Sequence, residues 1–270
     1  MIFVKKKIIN LINKFLKKID AQIIKRSFFE KLYNQNNDLE LLKKIENNQW
    51  SNFIDNLNLS KSQLRQDLFV LSELGFKKNG YFVDFGATNG FDISNSYLLE
   101  TKFNWKGILV EPSKKWHSKL KKNRKVNINT DCLWSETGKK LIFNEVSDGE
   151  LSTIDEFSST DKQKDNRLYG KKYKVSTISL KDLLIKYNAP KLIDYLSIDT
   201  EGSEFEILKN FDFNNFKFRV ITCEHNFRDD REKIYKLLTD NGYIRKFVKI
   251  DESKIDNFIN QKIKIKIVQL

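Results

Sequence analysis

A chain of 270 residues with 49 Lys and Arg against 36 Asp and Glu carries a formal net charge of +13, and its 40% apolar content suffices for a globular core of one or two domains. With only 2 Pro and 10 Gly it is neither collagen-like nor linker-rich, and no run of about 18 uncharged apolar residues offers a membrane span. Cys132 and Cys223 lie far apart and form no CxxC pair, which argues against a disulfide framework or a cysteine zinc site and for a reducing, cytoplasmic compartment.

In residues 1–26, Ile8, Leu11, Ile12, Phe15, Leu16, Ile19 and Ile23 recur at steps of three and four, which predicts an amphipathic helix. Lys5, Lys6, Lys7, Lys14, Lys17, Lys18, Lys25 and Arg26 stand there against Asp20 alone. Such a stripe either packs on the following domain with its lysines in solvent or lies peripherally on an anionic membrane surface. It lacks the continuous apolar run and small-residue cleavage site of a secretory signal. No zinc-finger or RNP-type signature occurs and no aromatics interleave with the lysines, so no nucleic-acid partner is expected. More helix and polar loop follow, with a break at NQNND (34–38). Residues 1–60 thus read as a basic helical extension and residues 61–270 as the main domain.

From about residue 62 apolar runs of strand length alternate with helical stretches. The strands are YFVDF (81–85), GILVEP (107–112), VNINTDCLW (126–134), KLIFNEV (140–146), DYLSID (194–199) and FRVITCEH (218–225). Between several of them lie helix-like segments such as SNSYLLETKF, SKKWHSKLKKN, SLKDLLIKY and SEFEILKNF, with REKIYKLLTDNG after the last. This alternation predicts an α/β fold with a mostly parallel sheet covered by helices on both faces. The polar stretch 147–173 has no period and reads as a long loop.

The first strand ends in Asp84, followed by Gly86-Ala87-Thr88-Asn89-Gly90 and a helix expected to start near Ser94. A glycine turn between strand and helix lets backbone approach a ligand and exposes free N–H groups. Thr88 stands where a dinucleotide fingerprint has its middle glycine, which weakens NAD or FAD, and there is no G-K-[ST] for a triphosphate. Glu111 closes the second strand, spaced to accept hydrogen bonds from ribose hydroxyls. Asp84, the glycine turn and Glu111 together point to an adenosine-containing cofactor.

Five blocks carry a resemblance: SQLRQDLFVL (62–71), GYFVDFGATNGFDISNSYLLE (80–100), WKGILVEPSKKW (105–116), LIDYLSIDTEGSEFEILKNFDF (192–213) and CEHN (223–226). In this order they resemble the FkbM-type methyltransferases, which use S-adenosyl-L-methionine on the class I, Rossmann-like fold. The resemblance spans roughly residues 60–250 and implies a seven-stranded sheet closed by an antiparallel hairpin, with YIRKFVKI and KIKIKIVQL as its strands. It implies a cofactor site made by Asp84, Phe85, Gly86, Ala87, Thr88, Asn89, Gly90 and Asn95, by Glu111 and Pro112, by Asp131 and Cys132 near the adenine, and by Asp199 beside the methyl donor. It also implies O-methylation of a small-molecule hydroxyl, on a sugar or glycan precursor.

Methyl transfer needs alignment and the removal of one proton. The two histidines are His117, in a basic helix and read as a surface residue, and His225, at a strand end beside Glu224. His225, Glu224 and Asp199 are the catalytic candidates, although Asp199 and Glu201 also suit the helix amino terminus that follows them. Asp199, Glu201, Glu224 and His225 could gather Mg²⁺ or Mn²⁺, but no tight ligand spacing supports it and no metal is assigned. Tyr169 and Tyr173 lie in the long polar stretch, where they could cover an acceptor.

Overall fold

The computed structural model describes residues 35–225, 229–246 and 255–260. Two compact units divide at 43/44, ahead of the boundary expected at 60/61. The basic stripe and its surface association (1–26), like the strand expected over 262–270, fall outside the described residues. None of the described helices is long and apolar enough to cross a membrane.

The second unit opens with α1 (Trp50–Leu57) and α2 (Gln66–Glu73), then β1 (Tyr81–Phe85), α3 (Tyr97–Phe103), β2 (Lys106–Val110), α4 (His117–Asn123) and β3 (Asn127–Asn129). After an excursion into a second sheet come α5 (Leu180–Lys186), β8 (Leu192–Ile198), α6 (Glu204–Leu208), β9 (Lys217–Glu224), α7 (Asp230–Asp240), β10 (Tyr243–Lys246) and β11 (Ile255–Asn260). The main sheet has seven strands in the order β10-β11-β9-β8-β1-β2-β3. Neighbours from β9 to β3 are parallel, while β11 runs antiparallel to both β9 and β10.

The central strands are apolar because both faces are covered. Phe82 to Phe85 and Ile193 to Ile198 are all buried. Of these, Val83, Phe85, Ile193, Leu196 and Ile198 pack with Leu180, Leu183 and Leu184 of α5, Ile207 and Leu208 of α6, and Ile234 and Leu238 of α7 in one core. Each large side chain buried this way contributes about 1.5–3 kcal/mol. Ser179 caps α5 by accepting the Asp182 N–H at 3.1 Å, which fixes where that helix begins.

Three expectations change. VNINTDCLW is two strands, because the Asn129 side chain accepts the Asp131 N–H at 2.8 Å and turns the chain out of the main sheet. β4 (Cys132–Trp134) then joins a smaller sheet, order β4-β7-β5-β6, with β5 (Lys140–Glu145), β6 (Thr153–Ile154) and β7 (Lys171–Ser179). The stretch 147–173 is therefore built structure: it contains β6, the start of β7 and three short 3₁₀ turns, and a small core of Cys132, Trp134, Phe143, Ile154, Phe157 and Val175 lies beneath it. At the carboxyl end, the strand inserted between β9 and β10 is Ile255–Asn260, with Phe258 fully buried.

Candidate functional site

One cavity opens at the carboxyl ends of β1, β2, β8 and β9, the edge where parallel α/β sheets place ligands. Its first wall is the turn after β1. Gly86 has φ +76°, and a Cβ there would come within 1.9 Å of the Asp199 carbonyl oxygen, so only glycine allows the β1 and β8 loops to meet. Thr88, also left-handed at φ 46°, aims its N–H at Glu111 Oε2 (2.8 Å). Strained backbone of this kind persists where surrounding contacts over-determine it. Phe85, Gly86, Ala87 and Thr88 line the cavity. Asn89 and Gly90 do not: the Asn89 side chain accepts the N–H groups of Phe91 and Asp92, and Gly90 packs where a Cβ would strike Leu120 and Arg124.

α3 begins three residues later than expected, at Tyr97, because Ser94, Asn95 and Ser96 are spent on the site. Ser96 Oγ donates to Asp84 Oδ2 at 2.6 Å, and buried Arg124 donates to the hydroxyls of Ser96 (3.1 Å) and Ser94 (3.2 Å). Arg124 is paired in turn with Glu100 at 2.5 Å. Burial raises the Asp84 carboxyl above its ordinary value, opposed by Ser96 and the Arg124 charge. Asn95 donates to Ser197 Oγ at 3.0 Å, which leaves its buried Oδ1, on the cavity wall, with no hydrogen bond from the protein.

Glu111 is 4% exposed and accepts two backbone N–H bonds, from Thr88 and from Ser113 (2.7 Å). Burial nevertheless pushes its carboxyl up to about 7. Half-buried His117, read as a surface residue, makes a 2.9 Å hydrogen bond with the Glu111 carbonyl oxygen and braces this turn. Pro112, Cys132 and Leu133 continue the wall, and burial pushes the Cys132 thiol up to about 12. Asp131 lies outside it and faces Lys186 at 3.7 Å.

Asp199, Thr200, Glu201, Ser203 and Glu224 also line the cavity. Carboxyl oxygens of Asp199, Glu201 and Glu224 lie within 4.8 Å of one another, tighter than the sequence suggested, although carboxyls alone do not make a metal centre. Burial first, then the Asp199 charge, raises Glu201 to about 8 and Glu224 well above the ordinary range. His225 is buried next to Glu224 but does not line the cavity. Gln63 and residues 149–152, from the supposed loop, also line it, and neither they nor Arg124 stood out in the sequence. Tyr169 is exposed, while the Tyr173 hydroxyl donates to Glu145 at 2.7 Å.

A family model described as the methyltransferase FkbM domain matches residues 84–251, the stretch that supplies most of this cavity. The chain belongs to the FkbM methyltransferase family. No curated protein matches it significantly. Among solved structures, a precorrin-6y C5,15-methyltransferase from Geobacter metallireducens GS-15 is similar at 14% identity over 72% of this chain and 88% of that one, with a TM-score of 0.38. MtNAS in complex with MTA and tNA is similar at 13% identity over 86% of this chain and 71% of that one, with a TM-score of 0.33.

The FkbM methyltransferase uses S-adenosylmethionine, and the residues present fit it. Asn95 Oδ1 offers a buried acceptor with no protein donor, and Asp84 and Glu111 line the cavity with carboxyls that ligand donors can reach. Asp84, Asn95 and Glu111 are therefore the groups that would hold it.

Proposed function

We propose that this methyltransferase transfers a methyl group to a hydroxyl of a small molecule, a sugar or glycan precursor, with the Glu224–Asp199 pair receiving the hydroxyl proton. S-adenosylmethionine, when bound, supplies a methyl group on a positively charged sulfonium, which an acceptor oxygen displaces in line.

The observation that supports the reading is the cluster of Asp199, Glu201 and Glu224 carboxyls on the cavity wall. A hydroxyl loses its proton only if a base stands within hydrogen-bond reach. Among the cavity-lining residues, none of which is a histidine, Asp199, Glu201 and Glu224 are clustered carboxyls that can serve. Carboxyl oxygens of Asp199 and Glu224 lie within 4.8 Å of each other, and burial together with the Asp199 charge raises Glu224 well above its ordinary range, so the pair resists carrying two negative charges. A neighbouring positive charge favours the ionised form of Glu224, so the pair becomes a better base when a cation occupies the cavity. Binding and proton removal thus fall to different residues. Asp84 and Glu111 contact groups that do not change in the reaction and contribute to affinity. Glu224 and Asp199 act on the group that does change.

Calorimetric titration with S-adenosylmethionine and S-adenosylhomocysteine, with NAD and ATP as controls, tests the pocket first. Selective binding of the two sulfur compounds, followed by methyl transfer to hydroxylated glycans in a radiolabel screen, is the expected result. Transfer to amines but not to hydroxyls would overturn the O-methyl reading.

A further inference from the structure

Resting on the methyl-transfer reading, we propose that Arg167 is a positioning residue for the reaction: from outside the cavity, it fixes the Glu201 carboxyl and the 149–152 wall in one arrangement. Its origin is the polar stretch 147–173, in which nothing in the sequence marks it.

Arg167 is 1% exposed, an unusual depth for a guanidinium. All three of its nitrogens are engaged. Nη1 donates to both oxygens of Asp161 (2.8 and 2.9 Å), Nε to the Leu151 carbonyl (2.7 Å) and Nη2 to Glu201 Oε2 (2.7 Å). The first two partners belong to the same segment and would suffice to neutralise and anchor the side chain. The third belongs to the loop after β8, in the other sheet. Thr153 makes a parallel tether, its hydroxyl donating to the Glu201 carbonyl oxygen at 2.9 Å.

What these tethers hold is a residue under strain. Glu201 sits at φ +57°, a left-handed conformation that a side chain other than glycine adopts only when its surroundings impose it. Arg167 thus joins two parts of the cavity wall, the Leu151–Ser152 backbone and Glu201, without lining the cavity. The groups facing Glu201 are Arg167 and Asp161 from the segment, Asp199 from its own loop, Glu204 from α6 and Glu224 from the end of β9. Among the described residues Arg167 is the one cation of this group, and its charge opposes the burial and the Asp199 charge that raise Glu201. A fork of donors in a plane does this while fixing orientation, which a lysine ammonium does not.

The test is titration of the wild type, Arg167→Lys, Arg167→Met, Glu201→Gln and the double variant Glu201→Gln/Arg167→Lys with S-adenosylmethionine and S-adenosylhomocysteine between pH 6 and 9. The two ligands differ by the charge of the sulfonium, so their affinity ratio reads the charge of the acidic cluster. In the wild type the ratio rises with pH as the cluster ionises. Arg167→Met is expected to move that rise upward by about 1 to 3 pH units, the effect of removing an adjacent opposite charge. Arg167→Lys is expected to move it less, and to move nothing in the Glu201→Gln background, as a double-mutant cycle requires of a residue acting through Glu201. Circular dichroism establishes that each variant is folded. Should Arg167→Met not fold, the lysine variant alone and in the glutamine background carries the comparison. An unchanged wild-type profile in the folded Arg167 variants, or a shift that persists in the glutamine background, overturns the proposal. Failure of the wild type to bind either sulfur compound overturns the methyl-transfer reading instead, and is seen before any variant is compared.

Discussion

Glu111→Gln separates charge from shape at the cofactor pole. The wild-type carboxyl is fully buried, takes the Thr88 N–H at 2.8 Å and the Ser113 N–H at 2.7 Å, and is still raised from 4.5 to about 7. A glutamine keeps the size and one carbonyl acceptor but turns an NH₂ toward one of those two donors. Loss of the charge-assisted bonds to ligand hydroxyls costs on the order of 1.5–3 kcal/mol, or about 10- to 150-fold in affinity. The pH dependence follows from the sign of the shift. As the pH falls through about 7 the wild-type carboxyl takes up a proton and becomes a poorer acceptor, so affinity for S-adenosylhomocysteine is highest above about 7 and falls by up to about tenfold per unit below it. The same raised value makes this group's contribution to apoprotein stability largest below 4.5 and loses it as the pH rises toward 7, on the order of 3 kcal/mol in all. The glutamine variant should lose the part of each dependence that this carboxyl supplies, while Asp84, Glu201 and Glu224 keep theirs. Calorimetry at pH 6, 7 and 8, with thermal melts on the same samples, makes the measurement. Wild-type affinity in the variant at pH 8, or an undiminished pH slope, would remove Glu111 from the cofactor site.

Gly86→Ala sets a methyl group 1.9 Å from the Asp199 carbonyl in a left-handed backbone, so melting should fall by several degrees and S-adenosylhomocysteine binding should vanish in calorimetry. Glu224→Gln should leave that binding within about threefold of the wild type while turnover drops about 10²- to 10⁴-fold, whereas His225→Gln should lose less than tenfold; the reverse ranking in a methyl-transfer assay would make the histidine the base. Arg124→Leu leaves Glu100 without its partner and removes the donors to Ser94 and Ser96, so denaturant titration should show a loss of about 3–5 kcal/mol.

Much of the central sheet was legible because strands buried on both faces are continuous apolar runs, as in YFVDF and DYLSID. The glycine turn was legible for a similar reason: close approach to another backbone leaves glycine as the residue that fits. Side-chain hydrogen bonds were not legible, because no hydrophobic period records them, whether they are local or join residues far apart in sequence. Asn129 turns the chain with one bond to Asp131, and no periodicity reports it. Arg167 sits in KDNRLYG, a run that reads as a solvated loop, and its partner Glu201 is 34 residues away. The inner strand Ile255–Asn260 has a weaker alternating pattern than KIKIKIVQL, the segment expected from the resemblance, and so drew no notice in the sequence. Spacing alone singled out Asp84 and Glu111, which line the cavity, whereas that Asp199, Glu201 and Glu224 stand within 4.8 Å of one another, and that His225 stays off the cavity wall, required the fold.

The strand order also dictates a sequence of events during synthesis. β1, β2 and β3 are complete by Asn129 and pair among themselves, but the other edge of β1 waits for β8, which begins at Leu192. More than sixty residues emerge in between, spent largely on the smaller sheet. A nascent chain at that stage holds the glycine turn and Glu111 yet presents β1 with an unpaired, apolar edge of the kind that recruits other strands. Because Gly86 abuts the Asp199 carbonyl, docking of β8 both closes that edge and finishes the cofactor cradle. Cofactor added during refolding should therefore act late, by trapping molecules in which β8 is already home, rather than by seeding the first half of the sheet.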